Sequence, residues 1–318
     1  MMDFLKRLPL PAAAVSLGLF SLGNLMQSYS PTLRMVLGGL AAAIWLLVLL
    51  KVVCLPRPVW QLLNSDAAVA SVAGGTFPMA TMLLAAYMKP YVAVISTVLW
   101  GVAVALHLAI MVWFGLVYLA KLQWPKVFAS YFVVYVGIAA ASLTSAAFGV
   151  QSTWGTWLWW LAFVCLVILL AVVTWRYITV PVQAEGAKPL VCIYAAPISL
   201  CLAGYLQVAE QKSLYFVLGM LAASTLVYLW VVCMLPSLLR LPFYPSYAAF
   251  TFPFVITPLA AKQATVWLQS AGMQIPFIGA LVWVETLLAA VLVLYTLVRY
   301  AVAVLKVSKQ GEPSQAVK

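Results

Sequence analysis

Long apolar runs separated by short polar breaks make up almost the entire chain. Each run has about 20 residues or more, which is enough for a helix to cross roughly 30 Å of hydrocarbon. We predict spans near residues 9–28, 32–53, 67–87, 91–119, 128–148, 154–178, 189–208, 213–238, 246–270 and 276–305. The pattern therefore predicts an all-α polytopic membrane protein with ten transmembrane helices.

The breaks between these spans alternate in length. A short turn at residues 28–32 follows the first span, whereas a longer polar stretch, Pro56 to Asp66, follows the second. The odd-numbered spans begin near residues 9, 67, 128, 189 and 246, a spacing of about 60 residues. A fixed period indicates a repeated unit, and the unit here is a helical hairpin that occurs five times.

The odd-numbered spans differ in chemistry from the even-numbered ones. They are rich in Ser, Thr and Gly, and they hold proline or, in the fifth span, Gly137. A proline frees a backbone carbonyl and kinks a helix, which a membrane tolerates where protein or water can satisfy that carbonyl. We therefore expect five odd helices to form an inner ring around a narrow central pore. Small residues also favour close helix packing, and composition alone does not separate the two readings. The expected kinks are at Pro78, Pro197 and Pro253.

Composition agrees with a membrane protein. Hydrophobic residues make up 66% of the 318 residues and charged residues only 7%, whereas soluble domains are about a quarter charged. The length fits a single transmembrane channel or transporter domain, residues 1–318, in which residues 306–318 form a short cytoplasmic tail.

The formal net charge is +11, from 17 Lys and Arg against 6 Asp and Glu. No basic cluster exceeds two or three residues, which argues against nucleic acid as a partner. Most basic residues fall on one side of the predicted spans, and only Arg34, Lys89 and Lys212 fall on the other. The positive-inside rule then predicts a multi-pass inner- or plasma-membrane protein with both termini in the cytoplasm. The residues on the first side are Lys6, Arg7, Lys51, Arg57, Lys121, Lys126, Arg176, Lys188, Arg240, Arg299, Lys306, Lys309 and Lys318.

Signatures of enzymatic chemistry are missing from the sequence. The chain has one histidine, and its five cysteines form no C-x-x-C pair, so we expect no zinc or other metal site. It has neither a Walker A string nor a nucleophile elbow. We therefore expect neither enzymatic activity nor a cofactor.

Four strings on the odd-numbered spans, taken in order, carry a family resemblance. They are Pro9-Leu10-Pro11, Gly75-Thr76-Phe77-Pro78-Met79-Ala80-Thr81, Ala196-Pro197-Ile198-Ser199-Leu200-Cys201 and Ala249-Phe250-Thr251-Phe252-Pro253. Together they resemble the tellurite-resistance/dicarboxylate transporter (TDT) family, which includes bacterial TehA-type channels, yeast sulfite and malate transporters and plant guard-cell slow anion channels. The resemblance extends from about residue 8 to residue 305. The chain departs from the family pattern in its first span, at residues 12–16, and in having no long cytoplasmic tails.

The resemblance implies a quasi-five-fold fold of ten helices, usually a homotrimer with one pore in each protomer. It also implies a phenylalanine from the ninth helix that plugs the pore, and Phe252 stands at the matching position. The transported solutes would be small inorganic or organic anions. Apart from the resemblance, a bulky ring beside Pro253 is held by a break in the helix and would block or dewet a narrow pore. An ordinary core aromatic is the alternative.

Several other residues are candidates for the pore. The hydroxyls of the odd spans and Phe77 are expected to line it, namely Thr76, Phe77, Thr81, Ser142, Thr144, Ser199 and Thr251. Lys262 lies near the outer end of the ninth span, where it would attract anions or simply extend its amine to the membrane surface. The ionisable residues His107 and Glu285 lie within even spans. We expect His107 to be a polar packing residue.

These observations leave three functions open. The first is a gated anion channel that passes small anions through the pore plugged by Phe252. The second is a proton-coupled secondary transporter of C4-dicarboxylate, sulfite or tellurite. The third is a membrane scaffold or sensor, which is disfavoured because the chain offers no effector domain. Membrane lipid is a partner in every case.

Overall fold

The structure is a computed structural model that describes residues 2–182 and 184–306. Within these ranges all regular secondary structure is helical, with thirteen α-helices, which confirms the predicted all-α class. The predicted tail, residues 306–318, lies outside the described residues except for Lys306, where the last helix ends. The helices are α1 (Met2–Arg7), α2 (Ala12–Met26), α3 (Pro31–Cys54), α4 (Pro56–Ser65), α5 (Ala67–Met88), α6 (Ala93–Phe114), α7 (Tyr131–Tyr135), α8 (Ala139–Thr144), α9 (Thr156–Thr179), α10 (Ala196–Val208), α11 (Leu214–Leu238), α12 (Phe252–Ser270) and α13 (Ile278–Lys306).

Seven helical segments of the described chain are long and apolar enough to cross a membrane. They are Pro31–Cys54, Ala67–Met88, Ala93–Leu119, Gln151–Thr179, Glu185–Val208, Leu214–Leu238 and Ile278–Leu305. They match seven of the ten predicted spans to within a few residues, so the chain is a multi-pass membrane protein. The other three predicted spans are short or interrupted. Helix α2 has only 15 residues, the fifth span is divided between α7 and α8, and the ninth begins as a 3-10 segment, Pro245–Phe250, before α12.

Burial separates the helices into two groups. In α5 and in Glu185–Val208, 78% and 94% of the most apolar stretch is buried, whereas the other five spans have only 28–39% buried. Helices α2 and α12 are also buried over most of their length. The exposed side chains of the outer group are large and apolar, as at Val94, Trp157 and Ile178. Such a surface suits the acyl chains of a bilayer.

The buried helices contact one another in a closed order. Helix α2 packs against α5, α5 against α7 and α8, α8 against α10, α10 against α12, and α12 again against α2. Each also packs against the outer helix that follows it in sequence, in the pairs α2–α3, α5–α6, α8–α9, α10–α11 and α12–α13. Connections of a few residues place sequential helices side by side.

Side-chain hydroxyls join the buried helices to each other. The Thr251 hydroxyl lies 2.7 Å from the carbonyl oxygen of Ala248 and 3.0 Å from that of Ala14, so its single proton is shared between the start of α12 and α2. Thr257 of α12 donates to the carbonyl of Ala195, just before α10, also at 3.0 Å. On the other side of the bundle, Tyr87 of α5 donates to the carbonyl of Phe20 in α2 at 2.9 Å. These bonds satisfy polar groups that have no water nearby in a membrane interior.

The His107 side chain supplies a hydrogen-bond donor at the break between α7 and α8. The helix ends around Gly137, where an added Cβ would come within 2.1 Å of the Val133 carbonyl oxygen and 3.0 Å of the His107 ring. The carbonyl of Val134 lies 2.9 Å from His107 Nε2. A carbonyl is only an acceptor, so Nε2 must carry the proton and donate. His107 is therefore a fully buried structural residue that replaces a lost helix hydrogen bond.

Two basic residues and a tyrosine bond to backbone carbonyls outside their own helices at one end of the bundle, which we call the basic end. Lys51, at the end of α3, donates to the carbonyls of Leu5, Lys6 and Leu8 at 2.9, 3.0 and 2.7 Å. Arg176, at the end of α9, donates to the carbonyls of Trp124 and Pro125. Tyr300 of α13 donates to the carbonyl of Pro245. The first residues of the chain and the end of α13 therefore lie at the same end.

Two helices were not predicted. The polar stretch from Pro56 to Asp66 contains α4, whose apolar residues recur at Pro56, Val59, Trp60 and Leu63 with helical spacing. Helix α1 precedes the first predicted span. Both lie at the basic end, and neither is long enough to cross the membrane.

We predict that His107→Ala destabilises the protein by about 1–3 kcal/mol, because the Val134 carbonyl would be left buried without a donor. The readout is the temperature at which half of the detergent-purified protein loses its monodisperse gel-filtration peak. His107→Gln, whose amide can donate to the same carbonyl, should recover part of the loss. Equal transition temperatures for the Ala and Gln variants would show that packing, and not the hydrogen bond, matters here.

Candidate functional site

A small cavity lies where the buried helices meet at the centre of the bundle. Its volume is about 30 Å³, which is room for roughly one or two water molecules. Every group of buried helices contributes to its wall. The lining residues are Ala14, Val72, Thr76, Met79, Phe132, Val133, Val136, Gly137, Ile193, Ala196, Pro197, Leu200, Ala248, Ala249, Phe252 and Pro253.

The central cavity is apolar. None of its lining residues is charged, and Thr76 is the only one with a polar side chain. The Thr76 hydroxyl donates to the carbonyl of Val72 at 2.6 Å, so its proton is already used within α5. A cavity of this size without free donors stays dry and offers no favourable contact to a hydrated ion in this conformation.

Phe252 occupies the wall of the cavity as the first residue of α12. Its side chain is 6% exposed, and Pro253 follows it in the first turn, a position where the missing N–H of proline costs nothing. The residue before it, Thr251, is tied to α2 through the carbonyl of Ala14. Across this contact stands Gly18, where an added Cβ would lie 2.6 Å from Thr251 Cβ and 3.1 Å from Phe252 N. The backbone that carries Phe252 therefore packs directly against α2.

Two helix N-termini point at the cavity. Ala196 and Pro197 begin α10, and Phe252 and Pro253 begin α12; all four line the cavity. A 3-10 segment precedes each helix, Glu185–Ala195 before α10 and Pro245–Phe250 before α12. The N-terminus of a helix carries a partial positive charge. The first turns of two α-helices thus border the cavity, and α10 continues directly from the 3-10 segment before it.

A wider cavity opens at the basic end, next to the central one. Its volume is about 470 Å³, and Val72 borders both cavities. Its wall includes Lys126, Asp66, Ser65, Ser246 and Tyr244. Asp66 is held by the N-terminus of α5, because its carboxylate accepts from the amides of Ala68 and Val69 at 2.9 and 3.0 Å. We call this cavity the vestibule.

Four of the predicted site residues line the central cavity and the others lie elsewhere. Thr76, Pro197, Phe252 and Pro253 line it, whereas Phe77, Pro78, Thr81, Ser142, Thr144, Ser199 and Thr251 do not. Phe77 stacks on Trp45 of α3 with ring centroids 5.7 Å apart, and Thr81 accepts from Trp45 Nε1 at 2.8 Å. Pro78 lies inside α5.

The remaining predicted hydroxyls bond to protein partners. Ser142 donates to the carbonyl of Gly155 at 2.9 Å. Thr144 donates to the carbonyl of Ala140 and accepts from Trp100 Nε1, both at 2.8 Å. Ser199 donates to the carbonyl of Ala195 at 3.0 Å. These hydroxyls join helices or bond their own backbone.

Lys262 lies at the end of the bundle opposite to the basic end. Its amine donates to the carbonyl of Leu25 at 3.1 Å and to the Ser28 hydroxyl, and it stands 3.9 Å from the centre of the Tyr29 ring. It therefore binds the C-terminal end of α2, where a cation also meets the negative end of the helix dipole. Its amine is directed at protein acceptors.

Glu285 of α13 is buried, with 3% of its side chain exposed. Neither carboxylate oxygen has a hydrogen-bond partner among the residues that the structure describes. The described residues contain no group of three or more His, Cys, Asp or Glu that could hold a metal ion. Glu285 is thus an isolated carboxyl in an outer helix and not part of a ligand set.

Sequence reasoning missed most of the cavity wall. Val72, Met79, Phe132 and Ile193 line the cavity, but nothing distinguishes them in sequence from the many other apolar residues of their segments. Most hydroxyl residues expected at the pore instead use their polar groups in contacts within or between helices.

A family comparison agrees with this architecture. The family described as SLAC1, voltage-dependent anion channel, matches residues 7–301, which covers nearly the whole chain and every helix from α2 to α12. None of the curated proteins compared with the chain matches it significantly. The chain belongs to the SLAC1 family of voltage-dependent anion channels, whose members are not enzymes.

Proposed function

We propose that this protein is a gated anion channel whose path runs along the axis of the buried helices and is closed at Phe252. In this proposal the five hairpins surround the path, the five buried segments line it and the outer helices face lipid. The observation that carries it is the central cavity, to which all five buried segments contribute side chains. The closed order of helix contacts supports the same arrangement.

The size and chemistry of the cavity support a closed state. A space of about 30 Å³ with apolar walls cannot hold an anion together with its hydration shell, and dewetting at a hydrophobic constriction blocks ions. Phe252 is the largest side chain at this level together with Phe132. Helical spacing puts Ile256, Leu259 and Gln263 on the same face of α12 as Phe252. They follow Phe252 in this order toward the end of the bundle opposite to the basic end.

Anion preference would arise from the fixed partial charges around the cavity. The N-termini of α10 and α12 lie there, and Lys126 lies in the vestibule. Field lines concentrate in a low-dielectric passage, so these weak charges act strongly on an ion in it. A path without a charged side chain would bind no anion tightly, which suits a channel better than a high-affinity carrier.

The proposal includes orientation and assembly. The basic end would face the cytoplasm together with both termini, following the excess of Lys and Arg at that end. Three copies would assemble with one path in each protomer, as the family resemblance implies. A measurement of the mass of the purified protein in detergent would test the trimer independently of conduction.

We predict that Phe252→Ala raises anion conductance, because it removes the ring that narrows the cavity. Each reduction of about 1.4 kcal/mol in the barrier raises the rate tenfold, so widening a hydrophobic constriction that blocks ions by dewetting raises the current. The measurement is current through purified protein in planar bilayers with chloride or nitrate on both sides.

The matched control for this experiment is Phe254→Ala. Phe254 is buried on the same helix but packs against Tyr228 of α11, with ring centroids 5.6 Å apart, and does not line the cavity. It should lower stability without opening the path. Equal currents for the two variants, at equal amounts of reconstituted protein, would contradict the proposed gate.

Glu285 favours a second candidate function. Desolvation makes the ionised form of a buried carboxyl without hydrogen-bond partners costly, so such a group is conspicuous, and ionisable groups within membranes commonly serve transport. This feature favours the proton-coupled transport of an organic or inorganic anion, such as a C4-dicarboxylate or sulfite. The channel and the carrier differ in what a proton gradient does to them.

For the channel, we predict that Glu285→Gln leaves the reversal potential at the equilibrium potential of the anion. A pH gradient imposed across liposomes without an anion gradient should then drive no anion uptake, in either the wild-type protein or the variant. Uptake driven by the pH gradient and abolished in Glu285→Gln would instead establish the carrier.

A further inference from the structure

An apolar groove opens on the outer surface of the bundle, and helix α5 separates it from the central cavity. Its volume is about 590 Å³, and it lies between α3, α4, α5 and α6. Trp60 and Trp113 line one part of it, and Val48, Gly74, Phe77 and Ile110 line the rest. Pockets of a few hundred Å³ bury ligands of moderate size, so this groove is large enough for an extended hydrocarbon chain.

The helix α4 forms the end of the groove that lies at the membrane surface. Its apolar residues Val59, Trp60 and Leu63 line the groove, while Arg57, Gln61 and Asn64 are exposed and follow one another at helical spacing on the face next to Trp60. A short amphipathic helix of this kind lies along the boundary between headgroups and acyl chains. Tyr118 at the end of the fourth span donates to the Leu63 carbonyl, which fixes α4 over the groove.

The rim of the groove has the groups that a phospholipid headgroup requires. Trp60 is 57% exposed, and tryptophan concentrates at the level of the headgroups. Arg57 is exposed one helical turn before Trp60, and a guanidinium pairs well with phosphate. Helix α4 contains no acidic residue, and the carboxylate of Asp66 just after it is bound by the amides of Ala68 and Val69, so the exposed charge on α4 itself is the cation Arg57.

We propose that this groove binds one acyl chain of an anionic phospholipid, whose phosphate is held by Arg57 at the basic end. The groove opens between outer helices whose neighbouring surfaces are exposed and aliphatic, as at Val52, Val102 and Leu106. The medium that reaches it is therefore lipid. A polar partner would leave its walls without matching contacts.

The groove lies directly behind the wall of the central cavity. Gly74 and Phe77 of α5 line the groove, whereas Thr76 between them lines the cavity. A bound acyl chain would therefore pack against the segment of α5 that forms the cavity wall and support its position. Lipid occupancy and the shape of the central path are thus connected through about one turn of a single helix.

The test fills the groove with a side chain. An added Cβ at Gly74 meets only Ile110 Cγ2, at 3.4 Å, so Gly74→Leu fits the backbone but occupies the groove. The matched control is Gly101→Leu, on α6, where an added Cβ meets nothing within 4 Å and which does not line the groove. Full-length protein is purified from bilayers of phosphatidylglycerol and phosphatidylcholine, and retained lipid is measured by native mass spectrometry.

We expect the wild type and Gly101→Leu to retain phosphatidylglycerol in preference to phosphatidylcholine, and Gly74→Leu to retain several-fold less of it. Arg57→Gln should keep a bound lipid but lose the preference for phosphatidylglycerol. Equal retention by Gly74→Leu and the wild type would overturn the proposal. A Gly74→Leu variant that loses its oligomeric state while its lipid content is unchanged would also overturn it, because the groove would then be a contact between copies of the chain. Neither readout depends on conduction.

Discussion

Backbone hydrogen bonding in a medium without water is the constraint on which this structure depends. Lipid offers no partner to a free N–H or C=O, so interrupted helices are tolerated only inside protein or beside water. Here the breaks fall in buried segments, around Gly137 and at Thr251, and a change from 3-10 to α-helix falls before Ala196. The outer helices that face lipid are long and, apart from π turns at two ends, continuous. The two groups of helices therefore differ because one can be broken and the other cannot.

The breaks create both the cavity and its electrostatic character. Where α10 and α12 begin in mid-bundle, their first residues form the wall of the cavity and their N-termini supply partial positive charge. Most polar side chains nearby are used to repair the breaks. Thr251 and Thr257 bind carbonyls of neighbouring segments, and His107 binds the Val134 carbonyl. Side-chain hydroxyls therefore hold the cavity in shape, and in the proposed channel the backbone would provide the favourable field for an anion.

The sequence was informative about where the helices lie and much less so about which face of each helix points to the centre of the bundle. Spans such as Leu214–Leu238 could be located to within a residue or two because polar breaks bound them. The 60-residue spacing and the prolines predicted kinks in the odd spans; the chain changes helix type or breaks near Pro197, Pro253 and Gly137, whereas α5 continues as one α-helix through Pro78. Inside a uniformly apolar helix, however, no periodicity shows which side points to the centre. Thr76 was expected at the cavity and lies there, but Thr81, five residues later, bonds to Trp45 of an outer helix. The direction of a side chain there is decided by packing partners that are distant in sequence.

The central claim is that the cavity bordered by Phe252 belongs to the path of the anion. Cysteine accessibility in the Phe252→Ala background tests it most directly, with a small charged thiol reagent added during a bilayer recording. Thr76→Cys, at the cavity wall, should lose its current on modification, whereas Thr81→Cys and the background protein with its native cysteines should keep theirs. Persistent current in Thr76→Cys, or equal block in Thr81→Cys, would contradict a path through this cavity.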